Sequence, residues 1–290
     1  MEHIYSRGQA KINLALDITG RRDDGYHAID TVMQSLTLYD SLFIKKVYKP
    51  DYLKLVSNLT WLPNDERNLV WQAAHYLIQR FDIKTGVFIS VQKAIPASAG
   101  LGGGSADCAA TLLGMRDLFK LPLTNDEIIE LSVRFGADVP FCVMRGLARA
   151  TGIGEVLQPL PRLPLMYVLL AKPPVIVSTA DIFANFVPEN VKARPDIERL
   201  VHGTRSGNLA EITSAMGNAL ESVTVERHPI VNELKEFMMA QGAKRAMMTG
   251  SGPAVFGIFE CEKSADAARN ALRAAFSDIK EVFVTKPFYI

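Results

Sequence analysis

Residues 100–105 read Gly-Leu-Gly-Gly-Gly-Ser, and they lie between a run that reads as a strand, Gly86 to Val91, and a run that reads as a helix. Three consecutive glycines let the backbone approach a ligand closely and turn its N–H groups inward. A helix that follows at once adds its own unpaired N–H groups and its positive dipole end, which makes an anion site suited to phosphates. A flexible turn with no ligand is the simpler alternative. The small residues Ala106, Ala109 and Ala110 in the helix favour a phosphate loop, because such loops are recognised by their strand–loop–helix setting. Neither common type fits. A Walker A loop needs Gly-Lys-Ser/Thr, whereas Gly104 is followed by Ser105-Ala106, and a dinucleotide fingerprint starting at Gly100 needs glycine where Ser105 stands.

The chain has 290 residues, enough for one large domain or two ordinary ones. With 48% hydrophobic and 22% charged residues it can bury a core without disulfides or a structural metal. A formal net charge of +1 lets neither sign dominate, which argues against a nucleic-acid or membrane-surface protein. Cys108, Cys142 and Cys261 form no Cys-x-x-Cys pair and read as reduced thiols, the first two buried in apolar runs. His3, His75, His202 and His228 make no ligand-spaced set, so no zinc site is expected. Met1 to Arg7 holds no apolar signal core, and the most apolar stretch, Leu163 to Ala171, is too short to span a bilayer. A cytoplasmic protein, monomer or homodimer, is expected.

The first third reads as strands at Ala10–Ile18, Ile29–Leu38, Ser41–Val47 and Tyr52–Ser57, with a tight turn at Asp23-Asp24-Gly25. Leu69, Val70, Ala73, Ala74, Leu77, Ile78 and Phe81 are spaced as one face of a helix, with Asn64 available to cap it. A second helix carries Ala109, Leu112, Leu113, Met115 and Leu118, and a third opens on the capping-box pattern Thr124-x-x-Glu127. Strand-like runs follow near Leu147–Thr151 and Glu155–Leu160, and the prolines at 159, 161 and 164 suggest a boundary. Beyond it come strands at Leu165–Ala171, Arg245–Thr249, Ala254–Phe259 and Glu281–Lys286. Helical patterns cover Thr179–Phe186, Asp196–His202, Leu209–Val223, Pro229–Gln241 and Ser264–Ala275. Mixed elements without regular βα alternation predict an α+β fold.

Two glycine loops in order, Pro96-x-x-x-Gly100-Leu101-Gly102-x-Gly104-Ser105 and Thr249-Gly250-Ser251-Gly252-Pro253, resemble the second and third motifs of the GHMP kinases. That is the family of galactokinase, homoserine kinase and mevalonate kinase. Within it, Ala10-Lys11-Ile12-Asn13-Leu14 and Gly25-Tyr26-His27 are similar to the first motif of a subgroup whose acceptor is a cytidylylated methylerythritol, an isoprenoid precursor. Gly136–Phe141, Ala150-Thr151-Gly152-x-Gly154-Glu155 and Val177-Ser178-Thr179 also resemble its segments, so the likeness runs from about residue 8 to residue 260. The chain departs from the pattern at Gln9, Ala106, Leu147 and Arg149, none of which removes a charged catalytic group.

The resemblance implies a two-domain α+β fold. Residues 1–160 would form a nucleotide-binding domain like ribosomal protein S5, residues 161–290 a ferredoxin-like domain, and the active site a cleft between them. It implies ATP as cofactor with Mg2+ carried largely by the phosphates, no nucleic acid and no membrane. Asp138 becomes the base and Lys11 its neighbour, an ammonium that keeps a carboxylate ionised and stabilises charge on the attacking oxygen. A structural Asp–Lys pair, or Asp138 as a helix-end or turn residue, is the plainer alternative. Nucleotide contacts fall to Lys93, Pro96, Gly100, Leu101, Gly102, Gly103, Gly104 and Ser105; Lys93 could equally be a solvated lysine and Ser105 a helix cap. Substrate contacts fall to Asn13, Tyr26, His27, Thr179, Gly250, Ser251 and Gly252. Tyr26 could stack on cytosine and His27 bond its edge, or Tyr26 could be only a turn aromatic, Asn13 a strand-end residue and Thr179 a helix cap. The rivals are a GHMP kinase for homoserine, mevalonate or a sugar, and a silent paralogue without turnover. Gly25-Tyr26-His27 counts against the first; Lys11, Asp138 and both loops count against the second.

Overall fold

The computed structural model of the chain describes residues 2–290. Its first elements are two long strands, β1 (His3–Arg21) and β2 (His27–Val47). Between them the Asp23-Asp24-Gly25 turn forms as expected: Gly25 takes φ 85°, and the Arg22 N–H donates to the Tyr26 carbonyl at 2.8 Å. The runs expected as separate strands at 29–38 and 41–47 are one strand. Asp40, the polar residue between them, is fully buried and finds its own partners instead of breaking the strand.

The chain divides into two compact units that interleave in sequence, Met1–Ala10, Leu38–Ile95 and Gly102–Arg145 in the first, Lys11–Thr37, Pro96–Leu101 and Gly146–Ile290 in the second. Interleaving follows because β1 and β2 each pass through both units. In the first, the end of β2 pairs antiparallel with β4 (Gly86–Gln92), and β4 runs parallel to β3 (Leu53–Ser57). The sheet is accompanied by α1 (Leu69–Arg80), α2 (Gly103–Phe119), α3 (Asn125–Ser132) and α4 (Val139–Met144), with α2 packed on α1 and α4. The apolar stripe of α1 buries Val70, Ala73, Ala74 and Leu77, and its cap is Asn68, not Asn64: the Asn68 Oδ1 accepts from the Val70 N–H at 2.9 Å. The capping box of Thr124 and Glu127 opens α3. Nothing in the sequence pattern announced α4, a short helix entered through Asp138 and Pro140.

In the second unit the start of β2 pairs with β5 (Leu147–Thr151), which pairs with β6 (Val156–Pro159). A four-stranded antiparallel sheet is built from β7 (Tyr167–Lys172), β9 (Arg245–Met248), β10 (Val255–Phe259) and β11 (Glu281–Thr285), in the spatial order β11-β7-β10-β9. Counted in chain order these four strands lie fourth, first, third, second, the ferredoxin-like arrangement. Between β7 and β9 come α5 (Thr179–Ala184), α6 (Ile197–Ser206), α7 (Leu209–Ala215), α8 (Glu221–Arg227) and α9 (Ile230–Ala240), and α10 (Glu262–Ala275) joins β10 to β11. Leu234 and Met238 of α9 and Ala268 and Leu272 of α10 are buried in one core with Leu169, Val255 and Phe259 of the sheet. The single helix expected over 209–223 is two helices. A two-residue strand, β8 (Gly217–Asn218), interrupts it by pairing parallel with Ala15 and Leu16 of β1.

Gly8 of β1 lies against the first turn of α2, where a Cβ would stand 2.5 Å from the Ala106 carbonyl oxygen. Backbone cannot yield there as a side chain would. Gly8→Ala is therefore expected to cost about 1–3 kcal/mol of stability, the usual range for overpacking. Urea unfolding checks this, and an unchanged midpoint would contradict the close approach.

Candidate active site

The start of α2 has no cap. Gly102 takes φ 68°, in the left-handed region, no side chain closes on the helix end, and the first helical bond is Ala106 N–H to the Gly102 carbonyl at 2.8 Å. The N–H groups of Gly103, Gly104 and Ser105 therefore have no acceptor within the helix. Gly104 is exposed, and a Cβ there would meet nothing nearer than a Leu69 methyl at 4.0 Å. This is a cradle of open amides at the positive end of a helix, and an anionic phosphate fits it. Ser105 does not cap the helix; Gly102 holds that position and Ser105 sits in the first turn.

Lys93 reaches beneath this turn, with its Nζ 3.3 Å from where a Gly103 Cβ would stand. It is not a solvated lysine. The ammonium is buried and ion-paired with Asp40 and, at 2.6 Å, with Asp107 of α2. Burial works against its charge, but the Asp107 and Asp40 carboxylates outweigh burial and hold its pKa above the usual lysine value. Burial pushes the Asp107 carboxyl up, the Lys93 ammonium opposes the rise and Asp40 adds to it. Asp138 occupies the cap position of α4, half-buried, with φ −80° and ψ −15°, and its side chain does not cap that helix.

In the second unit, β1 presents Lys11 and Asn13 on one side, as strand alternation predicts. Lys11 is 4% exposed, and its Nζ donates to the Asn13 Oδ1 at 2.9 Å. The Asn13 Nδ2 donates to the Thr31 hydroxyl at 2.9 Å, which donates to the Ala15 carbonyl at 2.6 Å. These bonds fix the amide and aim its oxygen at the ammonium. The Lys11 N–H donates to the Leu101 carbonyl at 2.9 Å, and the Asn13 N–H to the Thr249 hydroxyl at 3.1 Å. Gly100, at φ 75°, lies so close to the Thr249 carbonyl that a Cβ would stand 2.2 Å from its oxygen. Pro96 and Leu101 of the same stretch are buried.

The Gly250–Gly252 loop is held by residues that sequence reasoning missed. Asn218 donates from Nδ2 to the carbonyls of Met248 at 3.0 Å and Gly250 at 2.8 Å. Glu221 accepts from the Met248 N–H at 2.7 Å, and Thr224 donates to the Ser251 carbonyl at 3.1 Å. The hydroxyls of Ser251 and Thr179 lie 2.8 Å apart. Thr179 is not the cap of α5; Ser178 accepts from the Asp181 N–H in that role. Lys11, Asn13, Gly100, Leu101, Gly250, Ser251 and Thr179 are thus joined by one set of contacts, and the motifs at 10–14 and 177–179 and the two glycine loops all pointed to members of it.

His27 packs beside Phe183 with ring centroids 5.5 Å apart, and the two line a cavity of about 680 Å3 with Arg21, Phe186 and Arg194. Tyr26 is 63% exposed on the turn and does not line it. Two of the departures have structural work: Leu147 is buried, and Arg149 grips Asp30 with two nitrogens at 3.0 and 2.7 Å and reaches Glu198 at 2.8 Å. The buried Gln9 leaves its Oε1 without a hydrogen bond.

Profiles of the GHMP kinases N terminal domain and the GHMP kinases C terminal domain match residues 68–146 and 197–278. The chain is 41% identical over 288 residues, 99% of each chain, to the 4-diphosphocytidyl-2-C-methyl-D-erythritol kinase of Lachnospira eligens. The chain belongs to the GHMP kinases. It is 42% identical over 279 residues, 96% of this chain and 94% of the relative, to the same-named kinase of Listeria monocytogenes. A crystal structure of 4-(cytidine 5'-diphospho)-2C-methyl-D-erythritol kinase superposes with TM-score 0.82 at 30% identity, covering 99% of this chain and all of that one. Homoserine kinase from Cytophaga hutchinsonii, at TM-score 0.80 and 19% identity over 98% of this chain and 95% of that one, shares the fold. Membership in this family implies ATP use, and the α+β two-domain fold is the family's. No helix among the described residues is long and apolar enough to cross a membrane.

Removing the Asn218 amide would strip a buried donor from the carbonyls of Met248 and Gly250. Asn218→Ala is expected to cost this GHMP kinase about 1–3 kcal/mol, the penalty for unpaired buried groups. A thermal or urea unfolding curve equal to wild type would contradict its role in the loop.

Proposed function

We propose that the chain transfers the γ-phosphate of ATP to the 2-hydroxyl of 4-diphosphocytidyl-2-C-methyl-D-erythritol, a step of isoprenoid precursor synthesis. The observation that carries the acceptor is the 41–43% identity to relatives of that name over most of the chain. The chemistry is supported by the uncapped helix end at Gly103–Ser105 and by a buried lysine whose ammonium is aimed by Asn13.

Phosphoryl transfer asks the protein for position and for charge on the transferred group. In this reading the open amides of α2 hold the phosphates, with Gly100, Leu101 and Gly102 shaping the approach. Asp138 takes the proton of the acceptor hydroxyl, and Lys11 stabilises charge on the attacking oxygen. Mg2+ bound with the triphosphate would neutralise part of its charge, and the Ser105 hydroxyl, in the first turn of α2, would be placed to contact a phosphate or that ion. Asn13, Thr179 and the Gly250–Gly252 loop meet the acceptor. His27 reads its cytosine, an assignment supported by the aromatic cavity that His27 lines, and Tyr26, exposed on the turn beside it, stacks on the base. Residues 1–160 are assigned the nucleotide and residues 161–290 the C-terminal part, with one family profile on each side of that division.

ADP release coupled to an indicator enzyme tests the acceptor. The cytidylylated methylerythritol is expected to give turnover where homoserine, mevalonate and galactose do not, and turnover only with one of those three would overturn the assignment. Asp138→Asn is expected to lower kcat by about 10²–10⁴-fold, the range for loss of a positioned proton acceptor, with little change in KM. Near wild-type kcat would remove Asp138 from this role. Tyr26→Ala should raise KM for the cytidylylated substrate well above any change in KM for ATP; equal changes would refute stacking.

A further inference from the structure

Three titratable groups, Asp40, Lys93 and Asp107, lie buried together in the first unit, and the roles proposed above use none of them directly. Asp40 is 0% exposed. One of its oxygens accepts from two successive backbone amides, Ala94 at 2.6 Å and Ile95 at 2.9 Å, and the other pairs with the Lys93 ammonium. Lys93 in turn pairs with Asp107, one helical turn inside α2, at 2.6 Å. The second oxygen of Asp107 is buried without a hydrogen bond, so Asp107 makes one contact where Asp40 makes three. Buried ion clusters lose much of their attraction to desolvation and are weak sources of stability. A cation beneath a helix N-terminus is disfavoured as well. An arrangement that pays both penalties next to the open amides of Gly103–Ser105 is better explained by what it positions than by stability.

We propose that Asp40 is a positioning residue for nucleotide binding: through Lys93 and Asp107, and through the amides of Ala94 and Ile95, it fixes the start of α2 and the chain entering the glycine loop. Asp40 touches neither nucleotide nor acceptor in this scheme. It sets the register in which the open amides meet the phosphates. Lys93 acts through that strut as well, because its ammonium is already committed to two carboxylates. The inference rests on the kinase reading above.

Asp40→Asn keeps an oxygen for the two backbone amides but turns a neutral amide toward Lys93. ADP affinity measured by calorimetry is expected to fall by about tenfold, the effect of losing one hydrogen bond to a charged group. KM for ATP should rise in parallel, while KM for the acceptor stays within about twofold of wild type, ordinary scatter for an uninvolved site. A general loss of packing would move both KM values together, and that result overturns the proposal. So does an ADP affinity equal to wild type. Lys93→Met should weaken ADP binding too, and the Asp40→Asn/Lys93→Met double variant should lose less than the sum of the two single losses; additive losses would mean that the residues do not act as one strut. If Asp40→Asn does not fold, Asp107→Asn, which leaves every Asp40 bond in place, carries the test with the same expected split and the same contrary results. Wild-type protein that binds no ADP would overturn the kinase reading instead.

Discussion

The rest of the site depends on an end of a helix left open. A helix start normally recruits a serine, threonine, aspartate or asparagine to satisfy one of its unpaired N–H groups. In α2 that position belongs to Gly102, in a left-handed conformation, and no side chain takes over. The amides of Gly103, Gly104 and Ser105 are then available to an external acceptor, and the dipole of a 17-residue helix favours one that is negative. Glycine at 102 reaches that conformation without a Cβ penalty, and glycine at 103 and 104 keeps the approach clear. The glycines that make the loop look flexible in sequence are those that leave this helix end uncapped and open.

The surroundings are arranged to keep each half of the loop still. In one unit, Gly8 lets β1 press against the first turn of α2, and the Asp40–Lys93–Asp107 cluster lies beneath it. In the other, Gly100 and Leu101 are tied to Thr249 and to the backbone of Lys11, and the Gly250–Gly252 loop is held by Asn218, Glu221 and Thr224. Lys11 gains from the same network, since the Asn13 oxygen that receives its ammonium is oriented by Thr31. Polar groups buried in such chains hold one geometry because each alternative leaves a donor or acceptor unpaired.

Much of this was legible in the sequence wherever a local rule governs. The Asp-Asp-Gly turn, the capping box at Thr124 and the apolar stripe of α1 depend on neighbours in sequence, and each formed. The first glycine loop pointed to an open helix end because strand, glycines and helix are contiguous, and α2 does start at Gly102 without a side-chain cap. What stayed hidden depends on partners far along the chain. Asp40 reads as a strand breaker until Ala94 and Ile95 supply donors, and Asn218 as a helix residue until β8 pairs with β1. Lys93 reads as a nucleotide contact or a solvated lysine, and its ion pairs stay hidden because neither carboxylate that buries it lies within reach of a periodicity argument. Helix α4 is six residues long, too short for its spacing to stand out.

The central claim is that the open amides of α2 receive the nucleotide's phosphates. A crystal structure with bound ADP or a nonhydrolysable ATP analogue tests it most directly. The account predicts phosphate oxygens at about 2.7–3.2 Å, hydrogen-bond distance, from the amide nitrogens of Gly103, Gly104 and Ser105. A nucleotide bound elsewhere on the protein, with those amides left to solvent, would contradict it.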